Sequence, residues 1–280
     1  MCKHVAVVDK HQSDQVFSGS IPDLYETYLV PLIFQSYATD LARRVTEVHP
    51  AAVLEVAAGT GVVTRAMAAR LPANTTIMAT DLNQPMVDYA AKLGTDRPVS
   101  WRQADGLDLP FDDASFDAVV CQFGAMFFPD RVKAYRECHR VLRPGGSLLF
   151  SVWDRIEDNE FAAVVTDAVA TLFPNDPPRF LARTPHGYHD TAIIQADVDR
   201  AGFTSALQID TIEARSRAAS CDAPAIGFCQ GSPLRNEIDA RDASRLAEAT
   251  SAAAAAIGDR FGKSDIDGKM QAHVITAIRP

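Results

Sequence analysis

Gly59 and Gly61 stand in Val53-Leu54-Glu55-Val56-Ala57-Ala58-Gly59-Thr60-Gly61-Val62-Val63-Thr64, where an apolar run gives way to small residues and then to a helix-like pattern. Lacking Cβ atoms, the two glycines tolerate unusual φ and let a ligand approach the main chain. The amides that open the next helix have no intrahelical partner and point at whatever lies there. Asp81 follows twenty residues after Gly61, in Ala79-Thr80-Asp81-Leu82-Asn83. A carboxylate at that distance accepts from both hydroxyls of a ribose, which marks a nucleoside site. Asp105-Gly106, in Ala104-Asp105-Gly106-Leu107-Asp108, and Gln122-Phe123-Gly124 follow at two further predicted strand ends. These residue types can grip a nucleoside cofactor.

Such residues need alternating strands and helices to position them. Strands are predicted near 52–57, 76–81, 99–103, 116–121 and 147–153, with helices near 61–70, 85–93 and 130–142. Pro85 stands where a helix can begin, and Pro144-Gly145-Gly146 stops a helix ahead of the apolar run from Ser147 to Trp153. Repeated βα units imply a parallel sheet with helices on both faces. Upstream, the aromatic-rich stretch from Ile21 to Phe34 reads as helices broken near its prolines, and Tyr37, Leu41 and Val45 recur at helical spacing. Downstream, helices are expected at 159–173 and 190–201, the latter closed by Gly202. Strands are expected at 206–212 and 271–277. Between them lies a helical insertion, roughly 222–262, which includes the helix-favouring run from Ala252 to Ala256. Glycine and proline between Gly227 and Leu234 mark a loop inside it.

The 280 residues suit one large domain or a core with an elaborated cap. Apolar content of 47% and charged content of 22% are those of a globular chain with a full core. A net charge of −9, with no run of Lys and Arg, argues against binding nucleic acid or anionic membranes. No apolar run reaches bilayer-spanning length, and the N-terminus lacks a signal-like apolar stretch of normal length. A cytoplasmic setting without integral membrane association is the expectation. The five cysteines, Cys2, Cys121, Cys138, Cys221 and Cys229, show no C-x-x-C spacing and fit free thiols in a reducing compartment. His186-x-x-His189 has only Asp190 as a nearby carboxylate, so it reads as a polar loop and no metal is expected.

Thr64 occupies the place of the third glycine in a dinucleotide-binding G-x-G-x-x-G. The chain also continues into Phe116-Asp117-Ala118-Val119-Val120 and Val141-Leu142-Arg143-Pro144-Gly145-Gly146-Ser147-Leu148. In order and spacing these motifs closely resemble the class I S-adenosylmethionine-dependent methyltransferases, specifically the small-molecule group that includes ubiquinone/menaquinone-type enzymes. The resemblance covers about residues 45–154, and 269–278 more weakly. One departure is Ala57, where the family's E-x-G-x-G-x-G usually has glycine; a residue this small is expected to keep the turn.

The resemblance implies an α/β fold: a Rossmann-like, seven-stranded, mostly parallel sheet with helices on both faces. It implies one domain over 1–280, with a helical cap (1–45), a cofactor-binding core (46–154) and a C-terminal part (155–280) that carries the insertion as a lid. The implied cofactor is S-adenosyl-L-methionine, released as S-adenosyl-L-homocysteine. By position, Glu55 supports the turn or approaches the methionine amino group, while Ala57, Gly59 and Gly61 form the loop beside the methionine portion. Asp81 holds the ribose, and Leu82 and Met86 pack on the adenine. Asp105 accepts from the adenine amine, flanked by Gly106 and Leu107, and Gln122 lies by the methionine end. Each has a plainer alternative: Asp105 as a turn former, Leu82 and Met86 as core, Glu55 as purely structural.

A sulfonium methyl is already activated, so such an enzyme mainly aligns a nucleophile and excludes water. A base is needed only for an acceptor that arrives protonated. No triad is therefore sought, and His186, His189 and Tyr28 are the catalytic candidates. The irregular segments carry Phe17, Tyr25, Phe123, Met126, Phe127, Phe128, Trp153, Phe180 and Phe228. Most of these are expected to be ordinary core, but a pocket lined by some of them favours an aromatic or apolar small-molecule acceptor. Two other readings remain: a non-catalytic adenosylmethionine-binding regulator, and an NAD-dependent oxidoreductase, which Thr64 and the later motifs disfavour.

Overall fold

The computed structural model describes residues 14–205 and 207–280. Strands β1 (Ala52–Glu55), β2 (Thr76–Asp81), β3 (Ser100–Gln103), β4 (Phe116–Gln122), β5 (Leu142–Trp153), β6 (Gln208–Ser220) and β7 (Ser264–Ile278) form one sheet in the order β3-β2-β1-β4-β5-β7-β6. β1 to β5 are parallel, and β7 runs antiparallel to β5 and β6. The central strands are near-continuous apolar runs because helices cover both faces; Val119 and Val120 of β4 are fully buried. β3 forms the opposite edge and is mostly exposed. The seven-stranded, mostly parallel α/β sheet is therefore the architecture that the motifs implied.

Two features of this topology position the site. The strand order reverses between β1 and β4, which opens a crevice beyond their carboxyl ends. The two last strands are also longer than their alternation suggests, pairing from Gln208↔Thr276 to Ser220↔Ser264. Trp153, at the end of β5, pairs with Ala272. The segment from Ser264 to Gln271 thus overshoots the parallel strands, by roughly 25 Å at strand rise. Helices Asp222–Gln230, Leu234–Asp242 and Leu246–Phe261 connect β6 to β7 at that overshooting end.

The N-terminal helix differs from its expected form. It runs without a break as Ile21–Leu24 (α), Tyr25–Phe34 (π) and Gln35–Glu47 (α). Pro22 sits at the helix start, where no amide is missed. Pro31 lies inside the π segment, whose wider turn relieves the clash of a proline ring with the preceding turn. The expected loop at Gly227–Leu234 is also shorter: Gly227 to Gln230 are helical, and only residues 231–233 turn. A Cβ on Gly227 would lie 2.9 Å from Leu29 Cδ2, so glycine lets this helix close on the π segment. Residues 1–13 of the cap, with Cys2, and Ala206 of the expected strand lie outside the described residues. Among the described residues no helix is long and apolar enough to cross a membrane.

Candidate active site

The loop after β1 is fastened to strands on either side. Val56 donates its amide to Val120 O (2.8 Å) and Ala58 to Thr80 O (2.9 Å). Ala57 (φ 57°), Gly59 (57°) and Gly61 (85°) all take the left-handed conformation. For alanine that costs about 1 kcal/mol, and the turn nevertheless holds. Its methyl group finds room because residue 124 is glycine: a Cβ there would lie 2.5 Å from Ala57 Cβ and 2.8 Å from Cys121 Sγ. Gly61 caps the helix Val62–Arg70 and lies against Trp101, whose ring an added Cβ would meet at 2.8 Å. It does not line the cavity described next.

That cavity, about 200 Å³, opens above β1, β2 and β4 and takes in Ala57, Gly59, Asp81, Leu82, Met86, Asp105, Gly106, Leu107 and Gln122. Asp81 is buried. Its Oδ2 accepts from the Gly59 amide (2.9 Å) and its Oδ1 from the Asn83 amide (2.8 Å). Burial pushes its pKa up, and these amides oppose the shift. A carboxylate has about four acceptor positions, so both oxygens retain capacity toward the cavity. Asp105 Oδ1 accepts from the Leu107 amide (2.9 Å), so it forms the Asx turn and lines the cavity as well. A Cβ on Gly106 would touch the Phe128 ring at 3.0 Å. Met86 is buried, whereas Leu82 is 41% exposed, an apolar side chain on the cavity wall left for a ligand to cover.

Glu55 lies beneath the loop and outside the lining. Its Oε2 accepts from Thr64 Oγ1 at 2.5 Å, and burial pushes its pKa up to about 8, against the pull of Thr64 and Arg65. Thr64 is thus the structural partner of Glu55. Gln122, by contrast, lines the cavity. Its Nε2 donates to Phe34 O at 3.4 Å, and its buried Oε1 has no partner among the described residues.

Three sites complete this end: Tyr25, which the sequence offered only as one of many aromatics, and two that it did not offer, Asn83 and the strap at residues 14–17. Tyr25 lines the cavity: a Cβ on Gly59 would lie 3.7 Å from its hydroxyl, and the ring stacks on Phe34 at 4.9 Å. Burial, with Asp81 nearby, raises the Tyr25 pKa well above its ordinary value. Asn83 Oδ1 accepts the Phe17 amide (3.2 Å), tying the N-terminal strap to the Asp81 turn. Farther along that strap, Gln15 Nε2 donates to Phe127 O (2.6 Å), and Asp14 accepts from Arg183 and Thr184. An asparagine two residues after the key aspartate was the one legible signal among them.

Away from the loops the cavity is aromatic. Phe17, Phe34, Phe123, Phe127, Phe128, Trp153, Phe180 and Phe228 line it, more of the aromatics than their core-like setting suggests. Phe123 takes φ 52°, unusual for so large a side chain, and lies flat on Trp153 at 3.8 Å and 4°. Of the catalytic candidates only His186 lines the cavity. His189 Nδ1 bonds to His186 O outside it, and Tyr28 packs beside Gly227. Among the described residues no group of three or more His, Cys, Asp or Glu could hold a metal ion.

The residues suit an adenosyl cofactor: a buried carboxylate with spare acceptors, an uncovered leucine, and an unpartnered Gln122 oxygen suited to an ammonium group. Known proteins agree. Residues 54–150 match the methyltransferase domain family. The demethylmenaquinone methyltransferase of Deinococcus radiodurans is 34% identical over 161 residues, 56% of this chain and 66% of that protein. A ubiquinone/menaquinone biosynthesis C-methyltransferase of Marinomonas is 29% identical over 164 residues, 54% of this chain and 65% of that protein. The chain therefore spans just under two thirds of these relatives. Haemonchus contortus phosphoethanolamine N-methyltransferase 2, solved with S-adenosylhomocysteine, shares the fold at TM-score 0.60 and 14% identity, over 98% of this chain and 61% of that one. By motif and match, residues 54–150 carry a methyltransferase domain, on a fold shared with a methyltransferase solved with S-adenosylhomocysteine.

Proposed function

We propose that the protein transfers a methyl group from S-adenosylmethionine to a small, neutral, largely apolar acceptor. The observation that carries this is one cavity with two chemically distinct ends: Asp81 and Gln122 at one, aromatic rings at the other. When bound, the cofactor supplies an electrophilic methyl group on sulfur. Asp81 holds the ribose hydroxyls, Leu82 and Met86 cover the adenine, Asp105 meets its amine, and Gln122 Oε1 takes the ammonium group. Gly59 keeps main chain, not side chain, against the cofactor. The strap at residues 14–17 and the helices between β6 and β7 act as a lid that excludes water and fixes the acceptor, which is most of what this displacement requires.

The acceptor's chemistry follows from what the aromatic end lacks. Among the described residues its one lysine, Lys269, is paired with Asp158 (3.0 Å) and Glu213 (3.6 Å), so none of them offers a free ammonium to a phosphate or carboxylate. Calorimetric titration with S-adenosylmethionine, S-adenosylhomocysteine and NAD tests the reading. Micromolar binding of the two sulfur nucleosides, and none of NAD, is expected; binding of NAD alone would overturn it.

A further inference from the structure

Among the described residues, His186 is the buried histidine on the acceptor wall, and only one of its ring nitrogens has a structural duty. It is 5% exposed, and its Nδ1 lies 2.8 Å from the carbonyl oxygen of Asp154. A carbonyl only accepts, so Nδ1 carries the hydrogen and Nε2 presents a bare lone pair. Nε2 makes no hydrogen bond among the described residues, and the ring lines the cavity 6.0 Å from Trp153, centroid to centroid. Trp153 in turn lies flat on Phe123, next to Gln122. The stacked pair thus forms a flat aromatic wall of the cavity between the end of β4 and His186.

Resting on the methyltransferase reading, we propose that the acceptor is a planar aromatic bearing a hydroxyl group, and that His186 Nε2 is the base that receives the hydroxyl proton. The O–H bond breaks toward Nε2 and leaves an imidazolium. The freed oxygen pair forms the new bond to the methyl carbon, and the carbon–sulfur bond breaks with its pair staying on sulfur, now a neutral thioether. The Asp154 carbonyl fixes the tautomer throughout and stabilises the imidazolium through Nδ1–H.

The surroundings keep the base available. Asp154, Glu157 and His189 are the titratable groups acting on the ring, and Lys269 lines the same cavity from β7. Burial dominates: it pushes the imidazole down to about 4, against the Asp154 carbonyl. The ring is therefore neutral, its Nε2 lone pair open to a hydroxyl hydrogen, at every pH above that value.

The test uses S-adenosylhomocysteine-saturated protein titrated with 1-naphthol and 1-methoxynaphthalene. Wild type should prefer the hydroxyl compound about tenfold, the effect of one good hydrogen bond. His186→Leu should abolish the preference while still binding the methoxy compound and the nucleoside. His186→Gln, which can accept a hydrogen bond but holds no proton, should keep much of the preference yet slow single-turnover methylation of 1-naphthol on the order of 100-fold. The wild-type single-turnover rate should stay level from pH 8 to about 5, as expected of a base titrating near 4. Absence of the preference in wild type, or its survival in His186→Leu, overturns this inference alone. Failure of the nucleoside to bind wild type overturns the methyltransferase reading beneath it as well.

Discussion

The two ends of the cavity are built on different principles. At the proposed cofactor end, the strand ends and loops between Ala57 and Gln122 supply backbone and a few polar groups, held by amides: Gly59 and Asn83 on Asp81, Leu107 on Asp105. At the acceptor end, rings arrive from the strap (Phe17), the π segment (Phe34), β5 (Trp153), the segment before His186 (Phe180) and the inserted helix Asp222–Gln230 (Phe228). A backbone cradle depends on turn geometry, so its specificity resists side-chain change. A wall of rings depends on side-chain size, so one substitution reshapes it while the cradle stays intact. The fold can therefore hold its cofactor constant and vary its acceptor.

The largest expected effect falls on the cradle. Asp81→Ala removes the proposed ribose acceptor and frees the Gly59 and Asn83 amides, which should weaken S-adenosylhomocysteine binding by about 2–3 kcal/mol. The isolated acceptor wall should remain, so circular dichroism and the 1-methoxynaphthalene affinity should change little. Unchanged nucleoside affinity in a folded variant would break the division of labour drawn here.

This division also explains what the sequence made legible. Asp81 and Gln122 end a strand, Gly59 and Asp105 follow one, and strand ends with small or polar residues can be recognised locally. The acceptor wall has no local mark. Phe34 and Phe228 are almost two hundred positions apart, and an aromatic facing a cavity has the same neighbours in sequence as one in the core. The π segment was hidden for a related reason: Pro31 normally breaks an α-helix, and only packing against Gly227 shows that it widens one instead. The overshoot of β7, which brings the insertion over the site, rests on register with β5, a relation between distant segments.

Where the ends meet, Ala57 and Gly124 are matched. Gly124→Ala should destabilise the protein by about 2 kcal/mol in chemical denaturation, because its methyl would overlap Ala57 Cβ and Cys121 Sγ. Ala57→Gly alone should lie within about 0.5 kcal/mol of wild type, relief of the left-handed alanine being offset by the unfolded-state entropy of glycine. The double variant should recover a good part of the loss. Strict additivity of the two changes would mean that the pair does not share the space.

Arg183 tests the acceptor end from outside. It holds Asp14 of the strap and reaches Glu237 of the helix Leu234–Asp242 at 2.5 Å. Arg183→Ala leaves the buried Asp14 without its ionic partner, for a loss of about 1–2 kcal/mol given the part-exposed arginine. Hydrogen exchange should rise over residues 14–20, and 1-naphthol affinity should fall more than nucleoside affinity. An equal fall in both would show that the strap serves the two ends alike.

Glu55 offers the smallest effect and the cleanest sign. Its carboxyl titrates at about 8 in the fold because it is buried, against an ordinary 4.5. Between those values the unfolded chain has released a proton that the native state keeps, so rising pH favours unfolding. The stabilisation is complete below about 4.5 and gone once the pH passes about 8. Glu55→Gln has no proton to lose. It keeps an oxygen for Thr64 Oγ1 and should stay within about 1 kcal/mol of wild type at pH 6. Denaturation midpoints of the two should then diverge upward in pH, the glutamine variant becoming relatively more stable toward pH 8. Parallel curves across that range would place the carboxylate in an environment that welcomes its charge. Glu55 would then belong to the cofactor's ammonium group, and the loop would no longer separate it from the site.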